Sequence, residues 1–101
     1  MSYNTIEIVS FRLIEGADLK EFMKNANATV EFLAGCEGFV RRQLSRDQDG
    51  LWTDYVEWSS PEKAKQAAEN LMKHESVGPF MSSIDSSTVM MRHCDLLMSQ
   101  G

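Results

Sequence analysis

The alternation of apolar and polar residues divides the chain into strands and helices in a definite order. Residues 5–13 put Ile6 and Ile8 on one side and Val9, Phe11 and Leu13 on the other. Both faces are apolar, which is expected of a strand at the centre of a sheet. The spacing then changes to a helical one. Leu19, Phe22, Met23, Ala26, Val30 and Leu33 share a stripe, which predicts a helix over 18–34. Asp18 with Glu21 forms a capping-box start, and Gly35 is a stop. Period-two patterning returns over 39–46 and 51–58, separated by Asp49-Gly50, a hairpin turn pair. Ser60-Pro61-Glu62 opens a second helix over 61–74 with Ala64, Ala67, Ala68 and Leu71 inward. After Gly78-Pro79, Phe80, Met81 and Ile84 are expected in a short turn or helix, and a last strand over 86–97.

The order βαββαβ predicts a ferredoxin-like α+β fold, 1–101 as a single domain: a four-stranded antiparallel sheet with both helices on one face. Such a sheet leaves a second face uncovered. Ile6 and Ile8 would meet water there, so a homodimer through the open sheet face is the expected partner arrangement.

Composition narrows the function classes. The net charge is −5, from 15 acidic and 10 basic residues, which argues against a nucleic-acid binder with its basic stripe. Cys36 and Cys94 lack CxxC spacing, so two free thiols in a reducing compartment are expected. No cationic and apolar leader and no membrane-spanning run are visible, so a cytoplasmic location away from membranes is expected. Two histidines without a cysteine or carboxylate cluster give no metal site.

Candidate chemistry gathers around residues 38–64. Alternation places Trp52, Asp54, Val56 and Trp58 on one face of a strand that a helix soon covers. Two indoles there either stack on a planar ligand or fill a core. Asp54 is a candidate base if unpaired, or an ion-pair partner of Arg41 or Arg42. His74, at the end of the second helix, is a second candidate base, or a cation placed against the helix dipole. His93 alternates with Val89 and Met91 and faces either the cavity or an interface.

At Gly38-Phe39, Asp49-Gly50, Tyr55-Val56-Glu57-Trp58 and Ser60-Pro61-Glu62-Lys63-Ala64, the chain resembles the dimeric α+β barrel superfamily. Specifically it resembles antibiotic-biosynthesis-monooxygenase-like domains, and Ile84-Asp85 before a strand with His93 also fits. The resemblance implies a cofactor-independent enzyme acting on a small apolar or aromatic molecule. The alternative is a non-catalytic ligand-binding or accessory dimer. The family's phenol monooxygenases carry an Asn four residues before the Trp, where this chain has Asp54 before Trp58. Their helical Tyr falls near Lys65, and the Trp of the haem-degrading branch falls at Ala67-Ala68. The implied pocket lies between sheet and helices. Trp58, Trp52, Tyr55, Phe80 and His93 would bind substrate there, and Asp54 and His74 would move a proton.

Overall fold

The computed structural model describes residues 3–101. Its elements are β1 (Thr5–Leu13), α1 (Leu19–Asn27), α2 (Val30–Ala34), β2 (Phe39–Arg46), β3 (Trp52–Trp58), α3 (Pro61–Leu71), α4 (Val77–Ser82) and β4 (Ile84–Asp95). The strands form one antiparallel sheet in the order β2-β3-β1-β4. This is the ferredoxin-like α+β arrangement expected from the pattern, with β1 central.

Cross-strand register separates the two faces. Val9 lies opposite Asp54 and Met91, Glu7 opposite Val56 and His93, and Phe11 opposite Trp52. These residues share the helix-covered face. Ile8 lies opposite Tyr55 and Arg92, and Ile6 opposite Glu57 and Cys94, on the other face.

Two apolar clusters hold the helices down. One joins Phe11, Trp52 and Ile84 of the sheet to Phe22, Ala26 and Phe80. The other joins Val56 and Trp58 to Leu33, Ala64 and Ala67. The first is dense in aromatic rings: Trp52 stands 4.9 Å from Phe22 edge-on and 6.3 Å from Phe11 in a stack.

The helix starts follow their sequence signals. Asp18 Oδ1 accepts from the Lys20 and Glu21 amides at 2.8 and 3.3 Å. Ser60 Oγ accepts from the Lys63 amide at 3.3 Å. The single helix expected over 18–34 is instead two, broken at Ala28-Thr29. The carbonyl of Ala26 accepts from the Thr29 amide at 3.0 Å and from the Thr29 hydroxyl at 2.6 Å. A continuous helix would give that carbonyl to residue 30. Helix α3 ends at Leu71 rather than 74, and β4 begins at Ile84 and ends at Asp95 rather than spanning 86–97. Phe80 and Met81 do sit in a short helix, α4.

Candidate functional site

Between the covered sheet face and the helices lies a cavity of about 260 Å³. Small-ligand sites typically start near 300 Å³, so it suits one small molecule. Its walls are mostly apolar, with Val9, Val56 and Met91 from the sheet and Ala67, Ala68 and Leu71 from α3. The small side chains of α3 leave the space open beneath it. Val77, Phe80 and Met81 line it from α4.

Its polar lining is short: Glu7, Thr29, Arg42, Asp54 and the indole of Trp58. Asp54 is held on both oxygens by Arg42, from Nε to Oδ1 at 2.9 Å and from Nη2 to Oδ2 at 2.7 Å. Arg42 Nη1 donates to Thr29 Oγ1 at 2.7 Å, which ties the pair to the break between α1 and α2. The guanidinium also lies 5.6 Å from the Phe80 ring centroid. Arg42 and Asp54 side chains are each 11% exposed, so this is a bidentate, largely dry ion pair.

Trp58 is 1% exposed, and among the described residues its Nε1–H has no hydrogen-bond partner; nor does Thr5 Oγ1, on its cross-strand neighbour. An unmade bond at a buried donor costs about 1–3 kcal/mol.

The sequence-derived candidates fall in different places. Trp58, Phe80 and Asp54 line the cavity together. Trp52 does not: it is packed into the aromatic cluster, with the Arg46 guanidinium 5.4 Å from its ring centroid. Tyr55 is also misplaced by the expectation, because its strand parity puts it beside Ile8 on the opposite face. His74 lies in the turn between α3 and α4, outside the cavity lining. Its Nδ1 accepts from the Ser76 amide at 3.2 Å, and its ring is 4.4 Å from that of Phe32. His93 lies on the covered face and reaches the cavity through Glu7, whose Oε2 is 3.1 Å from His93 Nε2.

Three cavity groups were missed from sequence: Glu7, Thr29 and Arg42 as a wall residue. Glu7 had a usable signal, since it is in phase with Val9 and Phe11 on β1. A second, shallower groove between α2 and α3, of about 460 Å³, is lined by Phe32, Cys36, Glu37 and Gln66 among others. It contains neither of the two unpartnered buried polar atoms. Among the described residues, no three His, Cys, Asp and Glu side chains are grouped to hold a metal ion, and no helix is long and apolar enough to cross a membrane.

No family model matches the sequence, and no curated protein matches it. Solved structures do match in three dimensions. A candidate antibiotic biosynthesis monooxygenase from Nitrosomonas europaea superposes with a TM-score of 0.76, covering 100% of this chain and 97% of its own at 11% identity. SnoaB, a cofactor-independent oxygenase from Streptomyces nogalater, gives 0.66, covering 99% and 97% at 16% identity. A candidate monooxygenase from Shewanella loihica gives 0.71, covering 98% and 99% at 18% identity. The chain shares its fold with these solved structures. At these identities the likeness carries the fold alone.

Proposed function

We propose that the protein is a monooxygenase-like enzyme that binds one small, planar, largely apolar molecule in the cavity beneath α3 and needs no bound cofactor. The observation that carries this is a cavity walled mainly by aliphatic and aromatic groups, Trp58 and Phe80 among them. An aromatic ketone or phenol matches that lining, with its rings against Trp58 and Phe80. A substrate with an acidic C–H or O–H can give up its proton and then pass electrons to oxygen. For a doubly benzylic methylene, the carbon is oxidised to a carbonyl and dioxygen is reduced; one oxygen atom stays in the product and the other leaves as water. The protein's share is deprotonation and positioning.

A second reading is favoured by one contact. Asp54, the carboxylate nearest in the chain to Trp58 on this face, is fully engaged by Arg42, which suits a non-catalytic ligand-binding or accessory protein. In either reading two copies pair through their open sheet faces. Oxygen uptake and calorimetric binding with a panel of anthrones and quinols separate the two. Binding with uptake is expected. Binding without uptake favours the accessory role, and no binding at all overturns both.

A further inference from the structure

The geometry points to Glu7 and His93 as a proton relay that leads from the cavity to solvent: Glu7 takes the proton from the bound molecule and His93 passes it out. The assignment deepens the enzyme reading above and rests on the cavity being a ligand site.

The cavity's charges single out Glu7. Arg42 and Asp54 offset one another through two short bonds and leave no carboxylate oxygen free. Glu7 is the other carboxylate in the wall, and no Lys or Arg lies within ion-pair distance of it among the described residues. It stands on the central strand between Val56 and His93, with its side chain 13% exposed. His93 is on the edge strand β4, and its side chain is 46% exposed. One end of the pair therefore borders the mainly apolar cavity and the other end is wet. The contact is 3.1 Å between Glu7 Oε2 and His93 Nε2, which is hydrogen-bonding distance. The only other ionisable side chain on this face of β4 toward its C-terminal end is Asp95, opposite Thr5.

The step balances without any further reactant. A C–H or O–H bond of the ligand breaks, its electron pair stays on the ligand, and the Glu7 carboxylate becomes a carboxylic acid. Neutral His93 then accepts that proton at Nε2 and releases the proton on Nδ1 to water, which returns Glu7 to its anion. The net result is a negative charge on the ligand, a Glu7 carboxylate as at the start, and a proton in solvent.

The test uses anthrone in oxygen-free D₂O, with loss of the methylene proton signal as the measure of deprotonation and calorimetry as the measure of binding. Wild-type protein is expected to bind anthrone and speed the exchange. Glu7→Gln should still bind and lose on the order of a hundredfold or more in exchange rate. Glu7→Asp, which keeps the charge but withdraws it by one methylene, serves as the second variant and should also be slow with unchanged melting. His93→Ala should be slow and should regain rate as imidazole is added to the solvent, which a packing role would not produce. Exchange by Glu7→Gln at the wild-type rate overturns the relay, as does a His93→Ala protein that imidazole leaves slow. Binding without exchange in the wild type overturns the relay and leaves the cavity as a ligand site. Absence of binding overturns the ligand site itself and the relay with it.

Discussion

Asp54 and Arg42 meet where water is scarce, so their pairing sets a stability term as well as a chemical one. Removing the cation alone leaves the Asp54 carboxylate in the mainly apolar cavity wall without its ion-pair partner. Arg42→Met is expected to cost about 3–5 kcal/mol, read by urea unfolding, because the remaining charge is buried and uncompensated. The double variant Arg42→Met/Asp54→Leu should recover most of that loss, since it removes both desolvation costs. A single variant as stable as wild type would mean that water reaches the pair. A second residue-scale expectation concerns Cys36, whose Sγ–H donates to the Phe32 carbonyl at 3.4 Å. Burial pushes this thiol's pKa up. The thiolate is the reactive form, so at neutral pH Cys36 should react with Ellman's reagent more slowly than an ordinary thiol. Raising the pH or adding urea should speed it. Fast labelling of folded Cys36 at neutral pH would contradict the burial argument.

Elements are joined here by two small devices in the hairpin that leads to α3. Gly38 has φ +88°, and a Cβ built there would sit 2.6 Å from Lys63 Cβ and 2.8 Å from Ser59 Oγ. Lys63 Cβ is fixed to the first turn of α3, so the clash cannot be relieved by a rotamer change. Gly38→Ala is expected to destabilise by roughly 2–4 kcal/mol, the sum of left-handed strain and overpacking, and thermal melting checks it. At the other end of the hairpin, Asp47 Oδ1 accepts from the Leu51 amide at 3.0 Å and the Asp49 amide at 2.8 Å. Those bonds, Leu51's foremost, hold the Asp47 carboxyl below its ordinary pKa, helped by Arg12. Since the folded value lies below the unfolded one, the loop's stabilisation is complete above the unfolded value and is lost as pH falls through the folded one. A carboxyl-carbon NMR titration should give Asp47 a midpoint below that of a model Asp peptide, with the Leu51 amide shift following it. A midpoint at the ordinary value would mean that the turn does not hold the carboxylate.

The same elements show what the chain discloses by itself. Period-two runs and turn residues reveal the four strands, and parity on β3 correctly puts Trp52, Asp54, Val56 and Trp58 on one face. Parity also puts Tyr55 on the other face, and the pocket expectation overrode it because the motif made the whole segment look like one site. The helix break was hidden, since Val30 and Leu33 continue the apolar stripe through Ala28-Thr29. It depends on Thr29 finding Ala26 and Arg42, contacts that only the folded chain makes. Trp52 and Trp58 are indistinguishable by pattern, both inward on one strand. Phe11 and Phe22 on other elements decide that Trp52 is core. Glu7 was legible by phase and overlooked because a strand with two apolar faces draws attention to burial rather than to the one acid within it.

At the scale of the whole molecule, the sheet has helices on one side only. The other side carries Ile6, Ile8 and Tyr55 on the two central strands, and Met90, Arg92 and Cys94 on the edge strand β4, where Met90 is 72% exposed. Ile6 and Glu57 are already buried on that side although neither belongs to an apolar cluster. Glu57 is held by Arg41 at 3.2 Å and by Asn4 at 2.8 Å, so a second copy could cover it without stranding a lone charge. Pairing of two such faces would cover Ile8, Tyr55 and Met90 at once, and apolar area removed from water contributes about 25 cal/mol per Å². Light scattering at micromolar concentration is expected to give twice the chain mass of 11.4 kDa. Tyr55→Glu should shift the protein to monomer, because it places a charge in the middle of the joined faces while leaving the cavity side of β3 unchanged. That monomer should still bind anthrone, since Tyr55 lies on the face opposite the cavity and is not one of its wall residues. A monomeric wild type would overturn the pairing. A monomeric variant that no longer binds would show instead that the second copy closes the cavity, and the ligand site would then belong to the dimer.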